Sequence, residues 1–201
     1  VIVFTYKVVI NKVDEESKPL EGAVFTLEKL VKTDVSAAAT WKAIDAVEVN
    51  NETQIDLLEN IKENVVVSAN KDIILNMDNK TIENLNNNNI INLSGDLKIL
   101  DGTINGVDFK EKNASILVND NSNLELVNVN ISRNSTYDYK WETIEVSGNL
   151  DISGGTISSE SSHAIFNRGV VTINGGTVST TNSITIFNNE NSQLTLNSGV
   201  V

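Results

Sequence analysis

Two stretches, Leu150-Asp151-Ile152-Ser153-Gly154-Gly155-Thr156-Ile157 and Val171-Thr172-Ile173-Asn174-Gly175-Gly176-Thr177-Val178, share one pattern. An aliphatic residue, any residue and a second aliphatic are followed five positions later by a β-branched residue, here after Gly-Thr. Outward from these, the pattern occurs six times from residue 75 on: Leu75, Met77, Ile82; Leu97, Ile99, Ile104; Leu124, Leu126, Ile131; Leu150, Ile152, Ile157; Val171, Ile173, Val178; and Leu194, Leu196, Val201. All eighteen anchors are apolar, and successive middle anchors lie 22, 27, 26, 21 and 23 residues apart. Length changes therefore fall in loops while the strands hold register, as in a solenoid.

Before each next copy comes a second short apolar run, such as Ile116-Leu117-Val118 or Ala164-Ile165-Phe166. These runs are too short for helices, and alternating steps such as Leu150-Asp151-Ile152 send one side chain inward and the next outward. Each rung thus has at least two strands. The spacing of a leucine-rich repeat and the six-residue period of a hexapeptide helix are both absent. The fold class is all-β: a parallel β-helix with rungs of 21–27 residues.

Composition agrees. The chain has 201 residues, 40% hydrophobic and 21% charged, which is globular. Thirty residues are Asn and one is Pro, so turns rest mostly on Asn, Asp, Gly and Ser. The formal charge is −12, with nine bases against twenty acids from residue 46 onward. Such a surface repels nucleic acid and anionic membranes, and neither partner is expected. No stretch approaches the ~20 apolar residues of a membrane span. With no Cys and one His, thiolate and multi-histidine metal sites and His-paired cysteine nucleophiles are excluded; no metal or cofactor is expected.

Ile73-Ile74-Leu75-Asn76-Met77-Asp78-Asn79-Lys80-Thr81-Ile82 and Ile173-Asn174-Gly175-Gly176-Thr177-Val178 resemble rungs of the right-handed parallel β-helix, pectate-lyase-like domains common in bacterial surface proteins. Asn79 stands where such rungs usually carry Gly, a position Asn tolerates because it can adopt the left-handed conformation. Upstream, Thr40-Trp41-Lys42-Ala43-Ile44-Asp45-Ala46-Val47 resembles the helix that caps the N-terminal end of these domains, which places a capping helix near 40–48. The resemblance covers 34–201.

Residues 1–33 follow another rule. Lys12-Val13-Asp14 and Pro19-Leu20-Glu21-Gly22-Ala23-Val24-Phe25-Thr26-Leu27 resemble the start of the SpaA-like, Cna B-type β-sandwich of Gram-positive pili and adhesins. This reads as two strands around a polar turn. The resemblance makes Lys12 the candidate for an intramolecular isopeptide bond. The sandwich's later strands are not in this chain, so no bond partner carries over.

The outward residues between paired anchors stack as Asn76, Lys98, Glu125, Asp151, Thr172 and Thr195. Glu125 and Asp151 become neighbours on strands ~4.8 Å apart, near the ~5–5.5 Å of a retaining glycosidase pair. The same neighbours arise in any solenoid, as a solvated column in which Lys98 compensates Glu125. No acidic cluster is expected beside Arg133 or Arg168. Phe166 and Phe187 take equivalent positions and are expected to stack inside the coil, with Asn167 and Asn188 as a turn ladder.

Phe109, Tyr137, Tyr139 and Trp141 fall in the longest inter-strand segments, 105–115 and 132–143, on one side of consecutive rungs. They form the candidate binding patch for glycans or for host and extracellular proteins; the same aromatics can instead fold back over an edge. Together these readings imply a non-catalytic segment of a bacterial cell-surface adhesin or stalk protein, extracellular and part of a longer chain. The alternative is a carbohydrate-active enzyme, a β-helix lyase or hydrolase, using Glu125 and Asp151.

Overall fold

The computed structural model describes the backbone of 27–31, 40–44 and 46–49 and, from residue 52 on, the chain except 108–111, 135–140 and 161. In chain order the strands are β1 (Leu27–Val31), β2 (Thr40–Ile44), β3 (Ala46–Val49), β4 (Glu52–Asp56), β5 (Ile61–Lys62), β6 (Val65–Val67), β7 (Asp72–Asn76), β8 (Thr81–Glu83) and β9 (Ile91–Leu93). They continue as β10 (Asp96–Gly106), β11 (Ile116–Val118), β12 (Asn123–Arg133), β13 (Ile144–Val146), β14 (Asn149–Ser159), β15 (Ile165–Asn167), β16 (Val170–Thr180), β17 (Ile186–Asn188) and β18 (Gln193–Leu196). One sheet runs β18-β16-β14-β12-β10-β7-β4-β3 and a second runs β17-β15-β13-β11-β9-β6. From β4 onward every pairing is parallel, giving a β-solenoid of about six turns with rungs of roughly 24 residues.

Each 11-residue strand turns a corner at its middle. The corner needs a backbone in the left-handed region, supplied by Asp101 (φ 45°), Asn128 (φ 58°), Gly155 (φ 79°) and Gly176 (φ 89°). An ordinary L-residue there costs about 1–2 kcal/mol, which is why Asn, Asp and Gly occupy it. Gly155 has a second reason: a Cβ would lie 2.1 Å from the Val129 carbonyl oxygen of the rung before.

Fifteen of the eighteen anchors, those of the first five copies, are buried together with Ile91, Leu93, Ile116, Val118, Ile144, Val146 and Ile165 of the short strands. In the last copy Leu194 is partly buried while Leu196 and Val201 are exposed, since β18 pairs on one side only among the described residues. The first copy is shifted from its expected register. Ile99 pairs with Leu75 and Leu97 with Ile73, so Met77 falls in the corner rather than on the strand. Asp78 and Asn79, both left-handed, lengthen this corner by two residues, and Met77 stays fully buried.

The capping helix expected near 40–48 is not formed: the segment is strand. β2 pairs antiparallel with β1, and β3 pairs antiparallel with β4. Trp41, Ile44 and Val47 are spaced three residues apart as on one helical face, but Val47 and Val49 are β-branched and alternate with Glu48, which suits a strand. Pairing with β3 also occupies the free backbone edge of β4, which would otherwise stand open. Lys12 and the expected sandwich hairpin, up to residue 26, lie outside the described residues.

Asparagine stitches the rungs together. Asn76 donates to Asp56 (2.9 Å), Asn105 to Glu83 (3.3 Å), Asn123 to Asp96 (2.6 Å) and Asn128 to Asp101 (2.9 Å), each acid lying one rung earlier. A carboxylate only accepts, whereas an amide both donates and accepts, so the ladder can continue. Asn149 donates to Asn123 (2.6 Å) and Ser132 to Asn105 (3.0 Å).

Asn167 is fully buried inside the coil, with Nδ2 donating to Asn188 Oδ1 (2.7 Å) and Gln193 O (2.8 Å) while Oδ1 accepts from Gly169 N (3.0 Å). The Asn167–Asn188 ladder thus forms, but the phenylalanines next to it do not point inward. In β15 Ile165 and Asn167 are buried and Phe166, between them, faces out. Strand alternation cannot put neighbours on one side, and Ile165 takes the core position.

Two stability outcomes follow. Ile152→Asp buries an unpaired carboxylate against two neighbouring rungs and should cost ~3–5 kcal/mol, lowering the melting temperature sharply in a thermal scan. Asn123→Asp sets two carboxylates face to face and should cost about 1–2 kcal/mol. Adding Asp96→Asn restores an amide–carboxylate pair of reversed direction, so the double variant should melt above the single one.

Candidate functional site

β12 ends at Arg133, whose register partners are Gly106 and Ser159, so a long side chain stands between two small ones. The chain leaves the sheet there and returns at Thr143, just before β13. The preceding rung does the same between Gly106 and Ile116. Asn134 N donates to Gly106 O (2.8 Å) and Ile116 pairs with Ile144, so the two long segments leave and rejoin side by side. Phe109, Tyr137 and Tyr139 fall outside the described residues. Trp141 is described and half-buried, at the returning foot of the longer excursion.

Arg133 is fully buried, and its Nε donates to the backbone oxygen of Asn113 in the neighbouring rung (2.9 Å). Burial lowers its pKa to about 10, against an opposing pull from Glu142, so the guanidinium stays charged at neutral pH. Glu142, next to Trp141, is 7% exposed. Burial pushes its carboxyl above the usual range; Glu145 adds to this, while its own backbone N–H, His163 and Arg133 oppose it. These acids were not expected beside the arginines. Neither acid is level with an arginine in the stack: Glu142 lies just before β13, and Glu145 sits diagonally from Arg168.

The neighbouring surface is aromatic. Glu145 pairs in register with Phe166, and Phe166 with Phe187. The two phenylalanine rings stack 5.1 Å apart at 7°, with the Arg168 guanidinium 4.8 Å from the centre of Phe166. Arg168 Nη2 lies 3.7 Å from Glu145 Oε1. His163 stacks on Phe187 at 5.4 Å, and its Nδ1 lies 3.0 Å from the Ile184 carbonyl oxygen, so the Nδ1–H tautomer donates there. Rings stacked along the solenoid axis turn their edges outward. The Phe166 ring, whose faces a sugar ring would cover, lies between Phe187 and the Arg168 guanidinium.

Glu125 and Asp151 are register partners on the open face of the long-strand sheet, followed by Thr172 and Thr195. Lys98 Nζ is 2.8 Å from Glu125 Oε1, with both side chains well exposed. Asn76 leaves this column because of the corner insertion and pairs instead with Leu100 and Asp56. Among the described residues no group of three or more His, Asp or Glu side chains is arranged to hold a metal ion. No family model, no curated protein and no solved structure matches the chain.

Because the folded-state pKa of Glu142 is raised, its ionised form opposes folding. That penalty is absent below the unfolded-state pKa and grows as pH rises through the folded one. Glu142→Gln should therefore raise the melting temperature by a few degrees at pH 7, with the gain shrinking on acidification; melting curves from pH 4 to 8 check this.

Proposed function

We propose that this chain is a non-catalytic segment of a bacterial cell-surface adhesin or stalk protein, a β-helix of the pectate-lyase-like kind that serves as a rigid spacer and carries a lateral binding patch. Residues 1–33 are, on this reading, the start of a SpaA-like sandwich. The observation that carries the proposal is the contrast within adjacent rungs. One aliphatic core runs unbroken through the stack, while in two consecutive rungs the sequence between the long and the short strand lengthens, and the ends of these two segments lie side by side. Stability needs no such excursions, since the rung from Ile152 to Ile173 closes in 21 residues. Loops on a rigid scaffold are where binding residues concentrate.

The patch comprises Phe109, Tyr137, Tyr139 and Trp141, and its ligand is a glycan or an extracellular host protein. Aromatic side chains supply contact area without the basic charge that this protein lacks. The exposed setting of Glu125, already paired with Lys98, favours a solvated charge column over the Glu125–Asp151 glycosidase pair.

A screen of the purified chain against a broad glycan set and host matrix proteins tests the proposal, repeated with Tyr137, Tyr139 and Trp141 changed to Ala. Binding that is lost in a folded triple variant is the expected result. Binding retained there removes the patch, and polysaccharide cleavage lost on Glu125→Gln with Asp151→Asn replaces the proposal with an enzyme.

A further inference from the structure

The sequence contains two Asn-Gly pairs, and the solenoid holds them differently. Asn105-Gly106 lies in regular pairing: Asn105 is in register with Glu83 and Ser132, and Gly106, which is buried, with Arg133. Asn174-Gly175 lies where β16 turns its corner. The register with β14 passes from Ile152 and Ile173 to Ser153 and Gly175, skipping Asn174, and the pairing with β18 ends at Ile173 and Leu196. Asn174 is exposed. The fold does not demand a glycine next to it, since the left-handed φ belongs to Gly176 and a Cβ on Gly175 would meet its nearest atoms at 3.8 Å, an ordinary contact.

The segment after β18 is pinned across this corner. Asn197 N donates to Ile173 O (2.9 Å), Val200 N to Gly176 O (3.0 Å) and Val178 N to Val200 O (2.8 Å). Held in this way, two of its side chains reach Asn174: Asn197 Nδ2 donates to Asn174 Oδ1 (2.7 Å), and Ser198 Oγ donates to the Asn174 main-chain oxygen. These are the two oxygens on which negative charge gathers if the Gly175 nitrogen attacks the Asn174 side chain. The main-chain oxygen shares the charge of the peptide unit when its N–H loses a proton, and Oδ1 becomes the oxyanion of the tetrahedral adduct. Donors already in place where charge develops lower such a barrier.

We propose that Asn174-Gly175 is a self-modification site, at which the chain converts Asn174 to an aspartyl residue with Asn197 and Ser198 as the catalytic residues. The Gly175 nitrogen gives its proton to solvent and bonds to Asn174 Cγ; the bond from Cγ to Nδ2 breaks, and Nδ2 leaves as ammonia with a proton taken from water. Water then opens the resulting cyclic imide. Opening at the side-chain carbonyl gives aspartate in a normal backbone, and opening at the main-chain carbonyl gives the isoaspartyl linkage. One water is consumed and one ammonia released. The ladder of this solenoid suits the aspartate product: Asp56, Glu83, Asp96 and Asp101 each accept from an asparagine in the following rung, and a carboxylate at position 174 would accept from Asn197 in the same way, through a charge-assisted bond.

Incubation of the purified chain at pH 8, followed by peptide mapping with mass spectrometry, reads the conversion at both Asn-Gly pairs and separates aspartyl from isoaspartyl product. In the folded chain Asn174 should convert about tenfold faster than Asn105, which reacts only when its strand opens. In guanidinium chloride, where both are the same free dipeptide, the two rates should converge, with Asn174 no faster than it is in the folded state. Ser198→Ala, which trims one hydroxyl from an exposed residue, should slow folded Asn174 by roughly tenfold and leave the unfolded rate unchanged. Gly175→Ala should keep the fold, as the room for its Cβ requires, and slow ring closure.

Asn197→Ala removes the other donor and should act in the same direction; a thermal scan of each variant shows that the last rung still folds, and Ser198→Ala decides the matter if Asn197→Ala loosens it. Asn174→Asp, the product made directly, should melt at or above the parent. Equal folded-state rates at Asn174 and Asn105 overturn the proposal. So does a folded Ser198→Ala variant that converts as fast as the parent, which would leave an exposed Asn-Gly pair reacting without help from its neighbours. A lower melting temperature for Asn174→Asp would show that the ladder does not accept the product, and overturns it as well.

Discussion

Parallel pairing in register is the constraint from which the other features descend. Each strand hydrogen-bonds to its neighbour ~4.8 Å away, so a side chain meets its counterpart from the next rung rather than a partner chosen freely across a turn. Column chemistry must therefore be self-compatible. Aliphatics satisfy this inside, where Leu97, Leu124, Leu150 and Val171 form one line and Ile99, Leu126, Ile152 and Ile173 another. Like charges in register repel, and where Glu125 meets Asp151 the neighbouring Lys98 offsets part of that repulsion.

Asparagine resolves that difficulty and explains its own abundance. It turns corners at positive φ, as Asn128 does, and it both gives and takes a hydrogen bond, so successive asparagines can bond along a column in a way that ionised carboxylates cannot. The acids Asp56, Glu83, Asp96 and Asp101 each accept from an asparagine in the following rung. Such a ladder adds a directional preference to a core that is otherwise non-directional. Against this background the buried Arg133 and Glu142 depart from the rule that columns repeat, and they do so at the two ends of the longest inter-strand segment.

Much of the fold was legible in the sequence because the two-residue alternation and the repeat reinforce one another at every copy. Ile152 is predictable from Ile173 and Leu126, and the Phe166–Phe187 stack from equal spacing. What failed were places where one local rule stood without a repeat to check it. Val47 and Trp41 fit a helical stripe, yet strand pairing of β3 with β4 prevailed; Met77 matched the motif in spacing but sits in a corner made longer by Asp78 and Asn79. The equivalent positions of Phe166 and Phe187 predict that they stack but not on which side, and Ile165 beside Phe166 holds the inward position. The site was less legible still. Glu142 belongs to no column, and its burial just before β13 is something that periodicity does not encode.

Because the chain has no cysteine, spin labels can be attached at introduced cysteines without background. Thr81, Thr103, Asn130, Thr156 and Thr177 form one outward column, each paired in register with the next. Pulsed electron resonance on label pairs Thr81 with Thr156 and Thr81 with Thr177 reads the stack directly. At ~4.8 Å per strand the backbone separations are about 14 Å and 19 Å, so the label distance should lengthen by one strand spacing between the two pairs. A Thr81–Thr177 distance equal to or shorter than the Thr81–Thr156 distance would contradict the parallel, in-register solenoid.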